Sequence, residues 1–214
     1  METKTDENIK RIIDIIYEKY ITKQKYIGIG TGRTIEILIN HLKNKNIENI
    51  LFIPTSLSTM HILNLNKFKI SQINLYNTVD LYIDGADYYN KDIGLIKGKG
   101  GALTMEKLLA KMSPVFVAVI QKEKIKETFD DLYVPIEILP EAFSYIVSIL
   151  EKEKIIYSLR QGTGKYGPTI TENGNIIFDV KYNLEFLKQC KKITGIVEHG
   201  LFLKTEFNIK IVTL

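Results

Sequence analysis

The chain has 214 residues, 45% hydrophobic and 25% charged, with 29 basic against 25 acidic side chains. This length suffices for one large core or a large core and a small satellite, and the balance is that of a soluble globular protein; no apolar run nears the ~20 residues of a membrane span, so no membrane partner is expected. The formal charge of +4 does not read as a nucleic-acid footprint, because only Arg11, Arg33 and Arg160 are arginines and the lysines are interspersed with acids, as in Lys122-Glu123-Lys124.

In chain order, METKTDENIK at the start has neither the apolar core of a secretory signal nor the Arg- and Ser-rich character of a transit peptide. Residues 5–20 predict a helix, with Ile9, Ile12, Ile13, Ile16 and Tyr20 on one face. A strand at 26–30, a helix at 34–42 and a strand at 50–53 follow. Then come Pro54-Thr55-Ser56 and a helix through Met60 and Leu63. An apolar run at 79–83 ends in Asp-Gly, a glycine loop leads a helix to about Met112, and 115–120 (VFVAVI) is rich in β-formers. Strand, glycine turn and helix in alternation predict a parallel sheet with helices on its faces, where ligands sit at the carboxyl ends of the strands. Composition changes near Pro135. From there the order is strand 134–139, helix 141–152, strand 155–159, a glycine loop, strand 175–180, helix 184–191 and strand 196–203, which suits a small α+β domain. A last strand at 209–213 has no home that spacing reveals. Cys190 is the single cysteine, so no disulfide framework exists and a reducing compartment, the cytoplasm, is expected.

Three segments look chemical. GIGTGRT (28–34) is neither a dinucleotide fingerprint nor a P-loop, because its glycine spacing and the lack of Gly-Lys-Ser/Thr exclude both. It reads either as a phosphate cradle, with donors from Thr31, Gly32 and Thr34 and with Arg33 nearby, or as a tight turn without a ligand. In IDGAD (83–87), Asp84 and Asp87 either cap the next segment or handle hydroxyls and protons. In IKGKGGALTMEK (96–107), Glu106 has Ala102, Leu103, Leu109 and Ala110 as helical neighbours and no cation among them. It is either a stray exposed acid or a desolvated carboxylate with the raised pKa of a general base, with Lys97 bringing positive charge to the same edge. His41, His61 and His199 show no metal-ligand spacing, and Ser56, Ser58 and Thr59 are hydroxyls that either line the site or simply follow a strand.

In this order, GIGTGRT, PTS (54–56), IDGAD, LIKGKGGALTMEK, VPIEIL (134–139), PTITENGNIIFD (168–179) and GIVEHGLF (195–202) make a chain that resembles the type A ribose-5-phosphate isomerases. The resemblance implies a Rossmann-like domain carrying the site, residues 1–130 with 205–214, and a smaller ferredoxin-like α+β domain at 131–204. It implies interconversion of the small sugar phosphates D-ribose 5-phosphate and D-ribulose 5-phosphate without metal or cofactor, by a homodimer or homotetramer. By resemblance Glu106 is the proton-transferring base, and Asp84, Asp87 and Lys97 handle the ring oxygen, carbonyl and hydroxyls. Thr31, Gly32, Arg33 and Thr34 match the phosphate loop, Lys10 and Lys124 match further substrate lysines, and Gly85, Ala86, Gly98, Lys99 and Gly100 line the substrate. Four positions depart from the family pattern: Arg33 stands for a small hydroxyl residue, Lys99 interrupts a glycine run, Tyr88 replaces an acid and Gln121 an aspartate. A sugar-phosphate sensor would append a DNA-binding helix pair, where one helix precedes the first strand here. A deaminase or lactonase should show a histidine near its acids.

Overall fold

A stripe of isoleucines decides the first element. In the computed structural model, which describes residues 4–164 and 166–214, helix α1 spans Lys4–Ile16 and widens into a π turn at Tyr17–Ile21. Ile13, Ile16 and Tyr17 are buried, and Ile9, Ile12 and Tyr20 pack half-buried on the same cluster, so the apolar face meets the core. The chain continues through β1 (Tyr26–Ile29), α2 (Arg33–Leu42), β2 (Leu51–Pro54), α3 (Leu57–Leu65), β3 (Leu81–Gly85), β4 (Tyr88–Asn90), β5 (Gly94–Ile96), α4 (Leu103–Met112) and β6 (Phe116–Ile120). Then follow β7 (Tyr133–Ile138), α5 (Phe143–Lys152), β8 (Tyr157–Leu159), β9 (Ile176–Lys181), α6 (Leu184–Gln189), β10 (Ile196–His199), β11 (Leu201–Leu203) and β12 (Ile209–Thr213).

The first sheet is parallel throughout, in the order β12-β6-β3-β1-β2. Strands buried on both faces read as unbroken apolar runs, as FVAVI in β6 does. The chain winds outward from β1 to β2 and then crosses back to β3, so strand order reverses between β1 and β3. In open sheets of this kind ligands bind at such a switch point, outside the strands' carboxyl ends. The last strand, which spacing alone left unplaced, is the edge strand beside β6.

The second sheet is antiparallel, in the order β10-β7-β9-β8. With α5 and α6 it forms the βαββαβ pattern of a ferredoxin-like unit.

The expected strand at 196–203 divides at Gly200 into two strands of different sheets. Gly200 N–H donates to the Pro135 carbonyl (2.7 Å), and the Gly200 carbonyl accepts from Lys97 N–H (2.8 Å). A Cβ at Gly200 would lie 2.1 Å from the Lys97 carbonyl oxygen, so the crossing demands glycine. Past it, β11 pairs with β5, and β4 with β5, in a third, three-stranded sheet that the sequence reading lacked. Asn90 shapes its hairpin, the side-chain oxygen accepting from Asp92 and Ile93 N–H (2.8 and 2.9 Å). Strand alternation gives this sheet two dry faces: Leu95 and Phe202 join the core of Tyr82, Leu109 and Phe116, while Ile96 and Leu201 join that of Val134, Ile136 and Phe178. Among the described residues no helix is long and apolar enough to cross a membrane.

Candidate active site

The site begins with a missing side chain. Gly30 leaves β1 at the switch point, and a Cβ there would lie 1.8 Å from the carboxyl carbon of Asp84. The Asp84 carboxylate therefore fills space that only glycine leaves open. Asp84 is fully buried. Its Oδ1 accepts from Gly85 N–H (2.7 Å), and its Oδ2 accepts from Lys97 Nζ (2.6 Å) and from the Tyr82 hydroxyl. Lys97, immediately after β5, also donates to the Gly85 carbonyl (2.7 Å). Burial alone would lower the Lys97 pKa, but the Asp84 and Glu106 carboxylates outweigh it and the ammonium is held above its ordinary range.

Glu106 lies in the first turn of α4, its N–H bonded to the Ala102 carbonyl (3.0 Å). It is 4% exposed, not the solvated acid that was its bland alternative. Its Oε2 stands 3.2 Å from Lys97 Nζ as an ion pair, yet it receives no aligned hydrogen bond among the described residues. The helix itself supplies no cation, as the spacing indicated; the cation comes instead from Lys97, across the crevice. Burial is the largest influence on Glu106 and raises its pKa, Lys97 opposes it, and nearby Asp84 adds to it, leaving the carboxyl pushed up to about 8.

The rim is built from the turn after β3 and the glycine loop. Asp87 is half-buried and accepts from Lys99 N–H (2.9 Å). Lys124 donates to the Ala86 carbonyl (2.9 Å), tying the turn after β6 to Asp84-Gly85-Ala86-Asp87. Gly98 (φ 97°) and Gly101 (φ 88°) take left-handed conformations, and Gly100 faces open space. A cavity of about 610 Å³ opens beside Asp87, Lys99, Gly100 and Arg160.

The anion cradle is the turn from β1 into α2. Gly32 (φ 118°) starts the helix, leaving the first N–H groups of α2, from Arg33 and Thr34, without intrahelical partners. The exposed Arg33 side chain makes no ion pair among the described residues. Thr31 Oγ1 is bonded to the hydroxyls of Thr55 (2.8 Å), Ser56 (2.7 Å) and Thr59 (3.3 Å), so Ser56 and Thr59 buttress the cradle from below while Ser58 is exposed. Lys10 lines a groove with Asn40 and Asn44 at the carboxyl end of α2.

Several residues escaped the sequence reading. Tyr82 could have been found, since it lies two positions before Asp84 on a strand and shares its face. Lys107 turns away from Glu106 and donates to Glu198 Oε1 (3.0 Å) and to the His199 carbonyl. Lys191 holds the other Glu198 oxygen. Burial lowers Lys107 to about 8 against the pull of Glu198, and burial with Lys107 lowers His199 to about 3. Arg160, from the second unit, reaches the glycine loop, and Glu172 accepts from Leu57 N–H at the start of α3 (3.0 and 2.9 Å). These long-range partners leave no local signal. Among the described residues no group of three or more His, Cys, Asp or Glu side chains is arranged to hold a metal ion.

A buried carboxylate with a raised pKa, facing an ammonium beside an anion cradle, suits proton transfer on a phosphorylated substrate. Comparison with known proteins agrees. Residues 51–213 match the family model of ribose 5-phosphate isomerase A (phosphoriboisomerase A). The ribose-5-phosphate isomerase A of Pyrococcus horikoshii is 32% identical over 206 residues, 92% of this chain and 90% of that protein. That of Treponema denticola is 37% identical over 201 residues, 87% of this chain and 84% of its own. The solved ribose 5-phosphate isomerase A of Methanocaldococcus jannaschii superposes with a TM-score of 0.86 at 30% identity, covering 97% of this chain and 95% of that one. A D-ribose-5-phosphate isomerase in complex with phospho-erythronic acid superposes equally well, at 0.86 and 30% identity over the same shares. The chain belongs to the ribose 5-phosphate isomerase A family, whose members are aldose–ketose isomerases.

Proposed function

We propose that Glu106 moves the proton in the interconversion of D-ribose 5-phosphate and D-ribulose 5-phosphate. The observation that carries this reading is the Glu106 carboxylate itself: buried, raised in pKa, with an oxygen that no hydrogen bond satisfies among the described residues, set against the Lys97 ammonium. In its ionised form it removes the proton from C2 of the open-chain aldose and returns it to C1 of the enediolate; the reverse reaction runs the same path. Lys97 supplies the positive charge that the developing oxyanion needs. Asp84, with both oxygens engaged and no exposure, acts through Lys97 by fixing it, whereas the half-buried Asp87 is free to meet hydroxyls and the ring oxygen. The phosphate is read at the N-terminus of α2, from Thr31 to Thr34, with the Arg33 guanidinium within the same turn.

Residues 1–130 with 205–214 then form the domain that carries the chemistry and 131–204 the domain that braces it; the first three residues lie outside the described ones. The family resemblance supports a homodimer or homotetramer, and the lone buried thiol of Cys190 supports a cytoplasmic location.

Incubation of the purified protein with ribose 5-phosphate should form ketose. Glu106→Gln should bind substrate yet turn over at least ~10²-fold more slowly. Turnover close to the unmodified rate in that variant rejects Glu106 as the base.

A further inference from the structure

Arg160 follows β8, its backbone fixed by hydrogen bonds to the carbonyl of Ile177 (2.9 Å) and from the N–H of Thr169 (2.8 Å). Its guanidinium is held fork to fork by Asp179, Nε donating to Oδ2 (2.9 Å) and Nη2 to Oδ1. That pairing fixes the plane of the group and aims the remaining nitrogen. Nη1 donates to the Gly98 carbonyl (2.7 Å) and to the Lys99 carbonyl (3.0 Å). Gly98 C=O and Lys99 N–H belong to one peptide unit, and that N–H donates to Asp87 Oδ2 (2.9 Å). The unit is thus gripped at both ends, by a cation on its oxygen and a carboxylate on its nitrogen. The glycine flanking it takes φ 97°, a conformation from which a peptide can turn over at little steric cost. Without Arg160, among the described residues, the Gly98 oxygen keeps only the Gly101 N–H bond (3.0 Å), and the Asp87 carboxylate alone holds the nitrogen end against such a flip.

We propose that Arg160 is a positioning residue for the isomerisation: from the opposite side of the cavity it locks the 98–99 peptide so that Lys99 N–H aims Asp87 at the substrate. This rests on the assignment of the site as a pentose-phosphate isomerase centre. The hydrogen bonds of Arg160 go to Asp179 and to the Gly98 and Lys99 carbonyls, not to Glu106, Lys97 or Asp84, so its effect runs through the peptide.

The test combines kinetics with amide hydrogen exchange. Arg160→Ala should lower kcat/KM for ribose 5-phosphate about tenfold, the scale of one lost charge-assisted hydrogen bond. Added guanidinium should restore part of it. Arg160→Lys should not, because an ammonium cannot span Asp179 and two carbonyls. Asp179→Asn, which keeps the guanidinium but loosens its aim, should fall between. In Arg160→Ala the Lys99 amide should exchange at least about tenfold faster while amides of β1 and β3 keep their protection. Kinetic constants within twofold of the unmodified protein, or an unaltered Lys99 exchange rate, would overturn the proposal. If the unmodified protein fails to isomerise ribose 5-phosphate, the functional assignment is what fails, and the exchange measurement still decides whether Arg160 locks the peptide.

Discussion

A carboxylate is rarely left buried with an unsatisfied oxygen, and at Glu106 the arrangement has a consequence for stability as well as for chemistry. Its folded pKa, about 8, lies above the ordinary value of 4.5. The folded state therefore holds a proton more tightly than the unfolded chain. That contribution is complete below pH 4.5 and disappears as the pH climbs through about 8. Glu106→Gln removes this titration, so the Tm difference between variant and unmodified protein should grow in the variant's favour across that interval. A constant difference would mean that Glu106 titrates normally. If Glu106 is the base, as proposed, its working form is the ionised one, and kcat/KM should drop as the medium is acidified below the same raised value.

At the scale of elements, legibility followed the reach of the interactions. The helices and the strands of the parallel sheet announced themselves through local periodicity, and the loops bearing Asp84, Glu106 and Thr31–Thr34 stood at the predicted sheet edge. The three-stranded sheet did not announce itself, because β4 and β5 have three residues each and β11, which pairs with β5, lies about a hundred positions later. The apolar run across 196–203 hid the change of sheet, and only the steric demand at Gly200 reveals it. Gly200→Ala should destabilise the fold by about 2 kcal/mol or more, as the added methyl strikes backbone rather than a movable side chain. Urea unfolding would measure it, and an unchanged midpoint would show that the crossing tolerates a side chain. The cation facing Glu106 is absent from its helical neighbours, yet Lys97, nine positions upstream in the same glycine-rich stretch, was legible as the positive charge at that edge.

Across the whole molecule, polar tethers from the ferredoxin-like unit hold α4 and the loop before it. Arg160 reaches the loop before α4, Glu137 accepts from Thr104, and Glu198 accepts from Lys107. Glu137 is itself gathered by Thr171, Asn173 and Asn175. Glu198→Gln should cost about 3 kcal/mol near neutral pH, because it strands a buried ammonium. Glu198 holds the Lys107 pKa up at about 8, so without it Lys107 sheds its proton at lower pH, and the loss should shrink as the pH rises and be gone above about 8. A loss under ~1 kcal/mol in urea unfolding, the range of an exposed pair, would reduce this tether to a surface contact. The placement of β12 bears on how the molecule is made. Residues 209–213 complete the parallel sheet along the flank of β6, after the whole ferredoxin-like unit has been synthesised. During synthesis the parallel sheet therefore waits, with an unpaired β6 edge open to wrong partners, until β12 emerges and covers that edge.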